Sequence, residues 1–366
     1  MKNSFGNNMT VTVFGESHGP AVGVVLDGLC PGLDVQEAAI EALLARRRPA
    51  GETDTARVEP DRYQIISGVF NGRTTGAPLC IVIPNENVRS GDYEYGKARP
   101  SHADYTAFAK YHGYEDYRGG GHFSGRVTAA LVAAGGIILP ALERVGVRIG
   151  THILQCGGVH DDPFSDGVER EITLLADRQM PVLNEAAAKE MTARMLEAKA
   201  EGDSVGGVTQ TAVTGLPAGL GEPWFDSVEG VLSHALFSIG GVKGVEFGVG
   251  FAGAALRGSE YNDALRMEAG AVRALTNRNG GVNGGITNGM PVVFQCAVKP
   301  TPSIAKAQQT VDFIRNENTE IEIKGRHDPA IIRRICPVVD SVTALAVYDM
   351  LAGRYGTDCF LKGIGT

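Results

Sequence analysis

Val11-Thr-Val-Phe-Gly-Glu-Ser-His-Gly-Pro-Ala-Val-Gly-Val-Val-Leu26 places strand-forming residues on both sides of a polar, glycine-bounded turn. Residues 11–14 and 21–26 each read as a strand. The turn between them, Gly15-Glu-Ser-His-Gly19, formally matches the GxSxG nucleophile elbow of serine hydrolases. That elbow opens directly into a helix. Here a second strand follows, and very little chain precedes the first. The strand–turn–strand reading therefore sets the hydrolase aside; labelling of Ser17 by a fluorophosphonate probe would restore it.

Outward from this stretch, strands and helices mix along the whole chain. Asp34 with Glu37 three residues on reads as a capping box. Ala39, Ile40, Leu43 and Leu44 then recur at helical spacing up to Arg46-Arg-Arg-Pro49. There the cations complement the helix dipole, and the proline limits continuation. Residues 63–70, 78–84, 147–154, 207–214, 242–247 and 291–298 read as strands. Residues 124–145, 184–200, 226–238 and 338–351 read as helices. Residues 309–314 and 319–323 look like a hairpin. This order supports a mixed α/β or α+β fold. No linker, low-complexity tract or repeat marks a boundary within residues 1–366, and the length allows two domains of ordinary size or one large one.

The chain has 366 residues, a net charge of −8, 43% hydrophobic and 21% charged residues. These values fit a soluble globular protein rather than a disordered one. An acidic balance argues against a general nucleic-acid binder, but a local basic pocket for a small anion is compatible with it. Cys30, Cys80, Cys156, Cys296, Cys336 and Cys359 form no CxxC pair and no zinc-ligand spacing. Scattered thiols, no apolar signal core and no apolar run near membrane-spanning length predict a cytoplasmic protein with no membrane partner.

Glycines gather in Arg118-Gly-Gly-Gly121, Gly240-Gly241 and Gly280-Gly-Val-Asn-Gly-Gly285. Such turns let backbone amides approach an anion or a flat ring. None is a P-loop or a Rossmann fingerprint. His18, His102 and His327 sit beside glycine or proline in polar turns, a setting that suits an exposed acid or base. His160-Asp-Asp162 reads as a solvated loop rather than a metal site. Arg46 to Arg48, Arg99, Arg118, Arg126, Lys299, Arg326, Arg333 and Arg334 lie near the same turns. Guanidinium beside glycine-rich turns suits carboxylate or phosphate recognition. The residues by themselves reach a polyanionic small molecule held by arginines, with histidine proton donors, and no reaction.

Ten blocks carry a resemblance further. They are Phe14-Gly-Glu-Ser-His-Gly19, Arg46-Arg-Arg-Pro49, Ser67-Gly-Val-Phe70, Arg99-Pro-Ser-His-Ala-Asp104 and Asp116-Tyr-Arg-Gly-Gly-Gly121. Then come Glu201-Gly-Asp-Ser204, Gly215-Leu-Pro-Ala-Gly-Leu-Gly-Glu-Pro223, Val242-Lys-Gly-Val-Glu246, Lys299-Pro-Thr-Pro-Ser303 and Lys324-Gly-Arg-His-Asp-Pro329. In order and spacing they resemble the chorismate synthase family along nearly the whole chain. The resemblance implies a β-α-β sandwich, a helical layer between two antiparallel sheets, in one large domain over residues 1–366, assembled as a homotetramer. It implies a 1,4-trans elimination of phosphate from 5-enolpyruvylshikimate 3-phosphate, giving chorismate. The reaction is redox-neutral yet needs reduced FMN, with NADPH as a reductant in some members.

By the same resemblance His18 and His102 are the acid–base histidines, Asp328 relays a proton from the flavin, and Ser17 and Ser124 are supporting hydroxyls. FMN contacts fall to His122, Phe123, Ser124, Gly240, Gly241, Gly284, Lys299, Pro300, Thr301, Pro302, Ser303 and Arg326. Arg48, Arg126 and Arg326 are the cations facing substrate or NADPH. Three places depart from the common pattern. His122 and Phe123 replace an Arg and a Ser in the flavin loop. Ala50-Gly-Glu-Thr-Asp-Thr55 has no Arg where a Ser-Arg pair is usual, which weakens an NADPH site. Ser101 stands where glycine is commoner. A flavin-binding relative without turnover is the alternative, and the intact His18, His102, Asp328 and Arg326 argue against it.

Overall fold

The computed structural model describes residues 2–55, 60–86, 94–323 and 328–364. The first sheet pairs Ser4–Phe5, Thr10–Gly15, Ala21–Asp27, Leu79–Pro84 and Gln64–Ser67, in that spatial order. The second runs Val242–Phe247, Val292–Val298, Gly207–Thr214, Arg148–Cys156 and Val159–His160. Every pairing in both sheets is antiparallel. The turn at Gly15–Gly19 joins two such strands, with Gly15 opposite Val22, so Ser17 is not on a strand-to-helix elbow.

Between the sheets lie the helices Glu37–Arg47, Thr128–Arg144, Val228–Leu236 and Ile332–Tyr355. Thr128–Arg144 packs on the first sheet and Ile332–Tyr355 on the second, and the two pack on each other. This is the expected sandwich. A single hydrophobic cluster runs through it, from Val24 and Ile81 through Ile137 and Leu345 to Phe294. Gly125–Arg144 and Ile332–Tyr355 are long and apolar enough to cross a membrane, which the sequence reading had not expected. Their apolar windows are 67% and 94% buried inside the protein, as core helices are.

Two adjacent glycines let the helices meet backbone to backbone. A Cβ on Gly135 would stand 2.2 Å from Ser341 Oγ and 2.9 Å from Ser341 Cα. A Cβ on Gly136 would stand 2.6 Å from Ile40 Cα. Glycine lowers helix propensity by about 1 kcal/mol against alanine. Here that cost is outweighed by the close approach of Thr128–Arg144 to both neighbouring helices.

Several expectations are corrected. Asp34 caps nothing: the helix begins at Glu37 with Gln36 as N-cap and no side-chain cap bond. Asp34 instead pairs with Arg73 at 3.0 Å and Arg144 at 3.2 Å. The last long helix starts before Pro337, which sits in its second turn where only one amide bond is lost. Helix Asp104–Tyr111 buries only Ala107 and offers little apolar period, but Val168–Ala176 sets Val168, Ile172 and Leu175 on one buried face at helical spacing, a signal the sequence reading passed over. The 160s loop is only partly solvated. Asp161 is buried, takes the amides of Leu183 and Asn184, and meets His152 Nδ1 at 2.9 Å.

Gly136→Ala should lower the thermal unfolding midpoint by a few degrees, about 1–3 kcal/mol, because backbone cannot yield to the new methyl. An unchanged or raised midpoint in a calorimetric scan would show that the helices can part without loss.

Candidate active site

The triple glycine Gly119–Gly121 runs entirely at positive φ, from 54° to 85°. Its missing side chains make room for two histidines. A Cβ on Gly119 would lie 2.0 Å from His18 Cε1 and 2.8 Å from Ser17 Oγ. A Cβ on Gly120 would lie 2.9 Å from His102 Cε1. Adjacent glycines thus bring the two histidines to one loop from opposite ends of the first 102 residues. Ser17 Oγ lies 3.2 Å from His18 Nδ1 and 3.3 Å from the Arg118 carbonyl, to which it donates.

His102 opens onto a cavity of about 930 Å³. The expected residues His122, Phe123, Ser124, Arg126, Gly240, Gly241, Lys299 to Ser303 and Asp328 all line it. Its floor includes apolar residues of the central layer, such as Leu131, Ile335 and Val338. Among the described residues, six Lys or Arg line it (Lys2, Arg47, Arg126, Lys243, Lys299, Arg334) against one carboxylate, Asp328. In a chain of net charge −8, this is a local basic pocket.

The cations are held before any ligand arrives. Arg126 reaches the Asn85 Oδ1, the Pro84 carbonyl and Asp61. Arg47 bonds Thr128, the Gly125 carbonyl and Asp61. Asp61 is fully buried and takes the left-handed φ of 48°, which aspartate tolerates better than most. Lys299 Nζ bonds the Ser101 carbonyl. Burial, and behind it the Lys243 charge, push the Lys299 ammonium below its usual range. Ser101 itself has a φ of 60°, the conformation that makes glycine the commoner residue there.

Asp328 is anchored on both oxygens, by Arg334 Nη1 at 2.6 Å and the Thr55 amide at 2.8 Å. The neighbouring Asp54 takes Arg333 and the Ala50 amide. The Ala50–Thr55 segment without its arginine therefore has a structural use: it ties down the start of helix Ile332–Tyr355. Arg333 and Arg334 return bonds to the carbonyls of Arg46, Arg47 and Arg48, closing the open end of the first helix.

Not every expected residue reaches the cavity. Arg48 faces Glu41 at 3.3 Å and Asp61 at 3.8 Å, while Arg47 is the member of the triplet that lines it. Gly284 lies in the turn of the small hairpin Val282–Asn283 and Ile286–Thr287, away from the lining. His18 and Ser17 stand behind Gly119. Arg326 and His327 lie outside the described residues. His122 donates Nδ1–H to the Gly15 carbonyl at 2.8 Å and so presents its other nitrogen. Sequence reading missed Asp61 and Asn85, which carry no local signal. It also gave no role to Asp104, two residues from His102, where the spacing was a usable hint.

The chorismate synthase family profile matches residues 9–352. The chorismate synthase of Korarchaeum cryptofilum is 44% identical over 348 residues, 94% of this chain and 96% of that protein. That of Methanosarcina acetivorans is 46% identical over 355 residues, 95% of each. A crystal structure of chorismate synthase superposes with a TM-score of 0.76 at 26% identity, covering 96% of this chain and 94% of the other.

Gly119→Ala should displace the His18 ring and lower kcat at least tenfold while the fold persists. Turnover at the parent level with an unmoved ring would remove the spacing role.

Proposed function

The chain belongs to the chorismate synthase family, and we propose that it runs the family's reaction in the cavity lined by His102, Lys299 and Asp328. The family are lyases that eliminate phosphate from 5-enolpyruvylshikimate 3-phosphate, at the last common step of the shikimate pathway to aromatic amino acids. The carrying observation is the cationic cavity with two imidazoles converging on one glycine loop. A substrate with two carboxylates and a phosphate suits six lining cations. Because Arg47 and Arg126 are already braced on Asp61, little side-chain ordering remains for binding.

The lining also suits a flavin mononucleotide. Gly240 and Gly241 leave backbone exposed, and Phe123 offers a half-open ring. His122, Ser124, Lys299 and Ser303 supply donors near them. Reduced FMN, when bound, supplies an electron that is returned within one turnover. The protein's own part is to assist the breaking of two bonds: the C–O bond as phosphate leaves, and the C–H bond on the fourth carbon of the C–C=C–C unit, whose electrons complete the second double bond. His102, through Nε2, donates to one departing or charged group and His18 to another. Ser17 orients His18, and Ser124 faces the same cavity. Asp328, fixed by Arg334 and Thr55, takes the proton onward. Arg48 braces Asp61 rather than contacting ligand, and Arg326 belongs with the flavin cations by resemblance alone. External chemical reduction of FMN suffices in this reading, NADPH being the weaker supposition.

The whole chain, residues 1–366, acts as one domain of a homotetramer in the cytoplasm. Support for assembly comes from large exposed apolar residues concentrated between 224 and 267: Trp224, Phe225, Phe251, Leu265 and Met267. Native mass spectrometry should give four copies; a monomer at micromolar concentration would refute the tetramer.

The reaction itself is tested anaerobically with 5-enolpyruvylshikimate 3-phosphate and chemically reduced FMN. Chorismate and phosphate should appear in equal amounts. If both ligands bind and neither product forms, the chain binds flavin without turnover. His102→Ala should lose most turnover and keep FMN affinity.

A further inference from the structure

Asp104 meets His102 Nδ1 through Oδ1 at 2.8 Å. The same oxygen accepts Arg99 Nη2 at 2.7 Å, and Oδ2 accepts Arg99 Nε at 2.8 Å and the Arg99 amide at 2.9 Å. Arg99 Nη2 itself stands 3.1 Å from His102 Nδ1. The imidazole nitrogen thus has two neighbours of opposite demand. The carboxylate wants a proton on Nδ1, and the guanidinium wants a lone pair there.

The carboxylate wins. Burial alone would raise the Asp104 carboxyl, but the hydrogen bonds and charges of Arg99 and His102 outweigh it and hold it well below the usual range. Asp104 therefore carries no proton of its own near neutral pH. Two bare acceptors at 2.8 Å would repel, so Nδ1 must hold the hydrogen. Arg99, always charged, is a fixed clamp that keeps Asp104 in place.

We propose that Asp104 is a positioning residue that holds His102 as the Nδ1–H tautomer, leaving Nε2 as the one nitrogen that exchanges a proton with the cavity. This rests on the reading of His102 as the acid–base histidine. The Nε2 edge faces Gly120, whose missing side chain keeps that edge open. Asp104 is also the first residue of helix Asp104–Tyr111, so the tautomer is set by an element anchored in the chain rather than by a free side chain.

Asp104→Asn gives a directional expectation. The amide can turn its oxygen toward Oδ1's place or toward Oδ2's. With the NH₂ at the Oδ2 place, it faces two Arg99 donors, Nε and the backbone amide, and neither can adapt. With the NH₂ at the Oδ1 place, it faces only one fixed donor, Nη2, and an imidazole that can shift its proton. The second arrangement wins, and the amide then donates to Nδ1. His102 should flip to the neutral Nε2–H tautomer, with its Nδ1 lone pair taken by the amide, and could then give up the Nε2 proton only by becoming an imidazolate.

The experiment combines nitrogen-15 histidine labelling with kinetics, His102→Gln assigning the resonance among the eight histidines. In the parent protein Nδ1 should keep its proton as pH rises, and the Nε2 signal should titrate. In Asp104→Asn the two nitrogens should exchange roles, and kcat should fall by up to about 10⁴-fold, the loss seen when the carboxylate orienting the histidine of a serine-protease triad is neutralised. FMN affinity should stay within about twofold, because neither residue's role is to hold it. A parent protein with Nε2–H would overturn the inference even if the variant failed to fold. So would a variant with parental tautomer, or with a flipped tautomer and parental kcat. Failure of the wider reading looks different: His102→Ala itself would then turn over normally, whatever the tautomer.

Discussion

Backbone contact between three helices at Gly135 and Gly136 is the constraint from which the architecture follows. With any side chain there, helix Thr128–Arg144 would stand off from Ser341 on one side and Ile40 on the other. The helical layer would thicken, and the two sheets would no longer share one apolar cluster. Close contact also places the ends of the three helices side by side. Arg47 at the end of the first, Thr128 at the start of the second and Arg334 at the start of the third meet at the cavity wall. The basic pocket is therefore a product of helix packing rather than of loops alone.

Charge in this region is arranged as pairs with a surplus. Arg46 meets Asp340, Arg333 meets Asp54, Arg334 meets Asp328, and Asp61 is shared by Arg47, Arg48 and Arg126. Burying a lone guanidinium is costly, and each partner offsets that cost. Asp61 alone faces three cations, which leaves the positive excess that an anionic ligand would meet. Lys299 adds to it from the opposite wall, already biased by burial toward losing its proton.

The strand–turn–strand character of residues 11–26 was legible because β-formers flank a turn at short range. The helix 184–200 was legible from its local run of helix formers, and the structure adds that Asn184 caps it. The layered topology was not, since antiparallel order among distant strands leaves no local pattern; family resemblance supplied it. At the site, the histidines and the glycine loop stood out as residue types in turns. What stayed hidden were carboxylates that act at a distance in sequence. Asp61 gathers arginines from 47, 48 and 126, and Asp34 gives up its helix for Arg73 and Arg144. Of the arginine triplet it is Arg47 that lines the cavity, while Arg48, at the extended C-cap of the helix, meets Glu41 and Asp61.

Asp349, near the end of the last long helix, receives the amides of Asn7, Asn8 and Met9, and Tyr348 beside it receives the amide of Cys30. The partners are 342, 341, 340 and 318 residues apart. The N-terminal sheet is thus made first on the ribosome and finished last. Its first strands wait with apolar faces such as those of Val24 and Ile81 uncovered until helix Thr128–Arg144 emerges, and the segment before its second strand stays untied until Asp349 arrives. Contacts of such sequence separation are slow to form and leave exposed edges in the meantime. Loss of the final few dozen residues would remove a buried core helix of the sandwich rather than a tail.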